Sequence, residues 1–146
     1  MSVAAQSAPS VRSGGNAAIE RFAKAIGYPD RIPDGGALTT LRVDGMEIRA
    51  EELSGRVVLS YVLASDAANL PTLAGYAAGR MLREEAALAW DGGSAILWQD
   101  AAADSDAYAF TRLFETFMNS CDWWRARIDA LRGEQPSAPE AMVIMP

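Results

Sequence analysis

The stretch LTTLRVDGMEIRAEELSGRVVLSYVL, residues 38–63, decides the fold. Leu38 to Val43 and Met46 to Ala50 flank Asp44-Gly45, a pair that tolerates positive φ and so suits a type I′ turn between two strands. Ser54-Gly55 then gives a tight entry into Arg56 to Leu63, where Val57, Val58, Leu59, Tyr61 and Val62 supply the branched and aromatic side chains that strands favour. Three antiparallel strands in a meander follow from this pattern.

On the N-terminal side, Tyr28 to Gly36 is dense in Pro, Asp and Gly and continues neither helix nor ladder, so it reads as a loop. Before it, Ile19, Phe22, Ala23 and Ile26 recur at i, i+3, i+4 and i+7, with Glu20, Arg21 and Lys24 off the stripe. Asn16 is placed to cap this helix and Gly27 to stop it.

On the C-terminal side, Pro71 suits a first helical turn, and Leu73 to Leu82 supplies good helix formers for a middle helix. Leu88 and Trp90 alternate before Asp91-Gly92-Gly93, and Ile96-Leu97-Trp98 follow, which predicts a second hairpin with apolar residues on both faces. Asp100 to Asp106 reads as a loop and helix cap. Leu113, Phe117, Cys121, Trp124, Ile128 and Leu131 then mark one stripe of a long helix running almost to Gly133. Trp123 and Trp124 point about 100° apart on that helix, so Trp124 is expected in the core and Trp123 at a periphery.

The fold class is therefore α+β, in the order α-βββ-α-ββ-α: a twisted antiparallel sheet with helices packed on it. Residues 1–15 are expected to be a flexible leader, 16–132 one domain and 133–146 a flexible tail. A chain of 146 residues suits one core, and a domain near this length buries ~70% of its unfolded surface.

Composition removes most chemistry. With no histidine and one cysteine, Ser-His and Cys-His arrangements and imidazole metal sites are absent. No phosphate-cradling glycine loop, zinc-spaced cysteine pair or calcium loop is present. Glu51-Glu52 and Glu84-Glu85 read as solvated charge, and Cys121 as a small hydrophobe on the core stripe. No enzyme, cofactor or metal is expected. Thirteen basic against nineteen acidic residues give a net charge of −6, which disfavours nucleic acid and anionic lipid. No stretch reaches the ~20 apolar residues of a membrane span. The opening residues lack the basic start and apolar run of a secretory signal, so a cytoplasmic protein is expected.

What remains is a surplus of apolar surface. The middle helix is apolar nearly all round, and its Gly75 and Gly79 form a small-residue ridge; each glycine costs about 1 kcal/mol against alanine, offset if another backbone approaches closely. That approach fits the same helix of a second copy in a twofold dimer. A five-stranded sheet with few helices also leaves apolar surface and a strand edge open to an extended peptide.

With these elements placed, residues 17–131 resemble the class I type III secretion chaperones, small acidic homodimers that serve bacterial effector proteins. The resemblance rests on the element order and three stretches. These are Pro33-Asp34-Gly35-Gly36 leading to Leu41-Arg42-Val43-Asp44-Gly45, then Leu88-Ala89-Trp90-Asp91-Gly92-Gly93 with Ile96-Leu97-Trp98, and the last helix with Phe110, Leu113, Phe114, Phe117 and Trp124. Met81-Leu82-Arg83-Glu84-Glu85 departs from the Leu-Leu and nearby Asn with which members often close the middle helix.

The resemblance implies a bacterial cytoplasmic homodimer that holds the N-terminal segment of an effector in extended form, without ATP, and that meets the secretion apparatus. Its self-interface is then expected at Leu73, Gly75, Tyr76, Gly79, Met81, Leu82 and Trp90, and cargo at Ile19, Phe22, Ile26, Leu41, Val43, Leu97 and Trp98. The competing expectation is a cytoplasmic immunity or inhibitor protein that binds a folded toxin.

Overall fold

The computed structural model describes residues 18–30, 32, 38–66, 75 and 85–134. Helix α1 covers 18–25. Strands β1 (Leu38–Val43), β2 (Met46–Leu53), β3 (Arg56–Ala64), β4 (Ala87–Asp91) and β5 (Ser94–Ala102) follow, and the long helix α2 (Ala107–Glu134) closes the described chain. The leader, the Asn16 cap, the tail beyond Glu134 and the middle helix lie outside the described residues, Gly75 excepted; Gly75 is helical and exposed.

The turns form as their residues dictate. Asp44 (φ 50°) and Gly45 (φ 79°) are both left-handed, as a type I′ turn requires, and Ser54 (φ 52°) and Gly55 (φ 76°) repeat the geometry. At the third hairpin only the first central residue, Gly92 (φ 63°), is left-handed, the mark of type II′.

The sheet runs β1-β2-β3-β5-β4, with every neighbouring pair antiparallel. The meander thus pairs with the second hairpin through β5, leaving β1 and β4 as the edges. Register sorts the side chains. Leu41 faces Ile48, Ala50 faces Leu59 and Leu88 faces Leu97, all on one face and all buried. Against that face α2 lays Phe110, Leu113, Phe117, Cys121, Trp124, Ile128 and Leu131, the expected stripe. Each fully buried large apolar side chain contributes about 1.5–3 kcal/mol. Trp124 is buried and Trp123 half-buried, their rings edge-to-face at 5.0 Å.

The helix α1 is anchored at both ends of its packing. Phe22 stands edge-on to Phe110 at 5.6 Å and to Phe114 at 6.3 Å. Gly27 stops the helix in the left-handed region, with its own N–H donating to Lys24 O and the Tyr28 N–H reaching back to Ala23 O at 2.9 Å. This is a Schellman closure, which satisfies carbonyls otherwise left without donors. The Asp106 carboxylate caps α2 by accepting from the Ala109 N–H at 2.8 Å.

Several boundaries differ from the sequence reading: β2 runs on from Ala50 to Leu53 and β3 from Leu63 to Ala64. Strand β5 continues through Asp100, Ala101 and Ala102, which composition assigns to a loop, because β3 offers each a partner: Asp100 lies opposite Val58 and Ala101 opposite Val57, and Arg56 pairs with the Asp100 carboxylate at 3.2 Å. Helix α2 also runs past Gly133 to Glu134.

Candidate functional site

The outer face of the sheet is divided. Its β1–β2 half is charged: Arg42 pairs with Glu47 across the strands at 2.7 Å, and Arg49 with Glu51 at 3.8 Å. Its β3–β5–β4 half is apolar around Val62, Ile96 and Trp98, with the Arg56–Asp100 ion pair at the opposite end of β3 and β5. Val62 lies opposite Ile96, which lies opposite Ala89, and Ser60, Trp98 and Ala87 form the next row. Val62 is 52% exposed and Trp98 37%, with Ile96 half-buried between them. These three side chains form a contiguous exposed apolar patch.

Both sheet edges offer main-chain groups. The Arg42 N–H donates to the Tyr28 hydroxyl at 3.1 Å, away from β2. In an antiparallel pair the outward positions alternate, so Thr40 and Leu38 also direct their N–H and C=O groups away from the sheet. At the other edge, the closing pair Asp91–Ser94 sets the alternation, which turns the main-chain N–H and C=O groups of Leu88 and Trp90 outward. Strand β4 carries no lysine or proline to blunt its edge, and Trp90 is 48% exposed there.

The expected cargo residues separate into two groups. Ile19, Phe22, Leu41 and Leu97, four of the expected cargo residues, are core residues at most 1% exposed in the chain as folded. For the α1 residues Ile19 and Phe22 the cause lies at the junction of α1 and α2. There Arg21 stacks over Phe110 at 5.4 Å and donates to the carbonyls of Ser105 and Ala103, and the Thr111 hydroxyl donates to Ala25 O at 3.3 Å, sealing α1 onto its neighbour. Ile26 and Val43 are half-buried and Trp98 is exposed, so these three remain accessible. Of the expected self-interface, Leu73, Tyr76, Gly79, Met81 and Leu82 lie outside the described residues, Gly75 is exposed, and Trp90 stands at the β4 edge. Sequence reading missed Val62 and Ile96 as a surface pair; the signal was strand parity, which puts Ile96 on the same face as Trp98.

Among the described residues, no group of three His, Cys, Asp or Glu side chains is placed to hold a metal ion. Burial pushes the Cys121 thiol up to about 12, so it stays protonated and non-nucleophilic at neutral pH. No described helix is long and apolar enough to cross a membrane.

Comparison with known proteins places this geometry. No protein-family model matches the chain, and no curated protein matches it by sequence. Solved structures do. A chain in the HopA1–SchA chaperone–effector complex superposes with a TM-score of 0.61 at 15% identity, over 80% of this chain and 97% of that one. A chain in the ExsC–ExsE complex gives 0.59 at 19% identity, over 79% and 93%, and one in the ExoT–SpcS complex from Pseudomonas aeruginosa gives 0.51 at 14%, over 72% and 91%. The fold is shared. It is an α+β fold with a five-stranded antiparallel sheet, as the resemblance to class I type III secretion chaperones implies. The likeness spans nearly the whole of each matched chain.

Proposed function

We propose that this protein is a cytoplasmic type III secretion chaperone that holds the N-terminal segment of an effector in extended form, soluble and ready for export. The observation that carries the reading is the exposed apolar patch of Val62, Ile96 and Trp98, together with the outward main-chain groups of β1 at the far edge of the same sheet, on a fold shared with a chain solved in a chaperone–effector complex. Such a surface suits a client without its own tertiary structure. Main-chain bonds to the outward groups of Leu38 and Thr40 supply affinity that tolerates sequence, and apolar client side chains fill the patches at Ile26, Val43 and Trp98.

In this reading the working unit is a homodimer. The self-interface uses the 73–82 segment with its Gly75 and Gly79, together with Trp90 at the β4 edge. The β1 edge and the Trp98 face are then left for cargo, and the secretion apparatus is a further partner. Binding and release need no chemical step, which agrees with a protonated, buried Cys121.

Co-purification from a native cytoplasm tests the proposal. A chaperone will bring down a protein whose captured segment is disordered when free and whose catalytic domain remains active in the complex. An immunity protein will instead bind folded toxin and abolish its activity, and that result would replace this reading.

A further inference from the structure

Between the tip of the β1–β2 hairpin and the middle of α2 lies a groove of about 420 Å³. Val43, Phe114 and Met118 line it, each half-buried and packed against the core. Asp44, Glu115 and Asp122 line it too, each exposed.

The charge of this groove is not balanced within the described chain. Five described carboxylates meet arginines, Glu47 with Arg42, Glu51 with Arg49, Asp66 with Arg132, Glu85 with Arg112 and Asp100 with Arg56, and all five lie outside the groove. Asp44, Glu115 and Asp122 make no such pair among the described residues, and no basic side chain lines the groove. Three like charges around an apolar floor repel one another and attract a cation that also brings hydrocarbon.

We propose that this groove docks a basic amphipathic stretch of the cargo, with one apolar side chain seated on Phe114 and Met118 and a lysine or arginine on either side reaching the carboxylates. The proposal rests on the cargo-binding reading and specifies the chemistry of the client. The spacing fits. Glu115 and Asp122 are two helical turns apart, about 10 Å along α2, with Met118 between them. In an extended peptide, residues i and i+4 point the same way about 13 Å apart with i+2 between them, a span that flexible lysine stems adjust to the carboxylates. Val43 belongs both to the last position of β1 and to the groove, so the groove adjoins the strand whose Leu38 and Thr40 groups the cargo reading uses. Methionine on the floor accommodates apolar side chains of differing shape.

Titration of the full-length, isotope-labelled protein with three capped peptides tests this by amide chemical shift. The first is Gly-Lys-Ser-Leu-Ser-Lys-Gly; the second has both Lys replaced by Glu, and the third has Leu replaced by Ser. The proposal expects the first to shift Val43, Asp44, Met118 and Asp122 at low salt, and the other two to bind much more weakly. The triple variant Asp44→Asn, Glu115→Gln, Asp122→Asn should lose about tenfold in affinity and most of the salt dependence. It should fold normally, since asparagine tolerates the left-handed position at 44 and the other two sites are exposed. Equal binding of the Glu peptide, or shifts confined to other surfaces, would overturn the proposal. A captured effector segment that leaves these amides unshifted would overturn the groove while sparing the chaperone reading. Docking of the Lys peptide here without any effector capture would support the groove and remove that reading.

Discussion

Phe22 and Trp98 are both aromatic residues that sequence reading assigned to the cargo surface, and the fold gives them opposite environments. Phe22 is wholly buried between α1 and the edges of Phe110 and Phe114, whereas Trp98 points outward from β5. Phe22→Ala should cost about 3–5 kcal/mol of unfolding free energy in urea, because it deletes a buried ring and leaves a cavity. Trp98→Ala should cost under about 1 kcal/mol and weaken client capture instead. Equal stability losses for the two would contradict these placements. Cys121 makes a separate point. With its thiol held near 12 by burial, it should resist iodoacetamide at pH 8 in the folded protein and react promptly once urea unfolds the chain. Fast labelling of the native protein would show that the core opens more readily than its packing indicates.

The elements were legible wherever local rules agree with long-range pairing. Asp44-Gly45 fixes a turn by backbone conformation alone, and the period of Leu113, Phe117, Cys121 and Trp124 fixes the buried stripe of α2. Asp100 to Ala102 were not legible, because neither aspartate nor alanine favours strands and only β3 across the ladder holds them extended. Nor does a single sequence say which apolar stripe meets another: Ile19, Leu41 and Leu97 read as surplus until α2 is seen to cover them. The caps yield their own expectations. Gly27→Ala places a side chain in the left-handed region at φ 72° and should cost about 1 kcal/mol, as should removal of the α2 cap by Asp106→Ala, both measurable by denaturant titration.

One ion pair ties elements together at the far end. Arg132 in the last turn of α2 bonds Asp66 just beyond β3 and holds its carboxyl below the ordinary value of 3.8. A lowered acid pKa stabilises the fold above the unfolded value, and that contribution is lost as pH falls through the folded one. The melting temperatures of the wild type and Asp66→Asn should therefore differ slightly at pH 6 and converge as the pH drops below about 4, the pair being exposed and its effect small. A constant difference across the acid range would assign the effect to packing.

At the scale of the molecule, the described sheet has one face packed against two helices and one face that carries ion pairs around an apolar patch at Val62, Ile96 and Trp98, with β1 and β4 as its edges. That asymmetry is what a chain needs if its work is to hold another chain rather than to transform a small molecule. Affinity then comes from many modest contacts, and the client's ordering entropy sets a limit on it. Hydrogen exchange of the protein with and without its co-purified client tests the account most directly. The account predicts that the amides of Leu38 and Thr40, which point away from β2, become markedly slower to exchange in the complex, along with shielding of Trp98. A stoichiometric complex in which both amides exchange at their free rates and Trp98 stays exposed would contradict it.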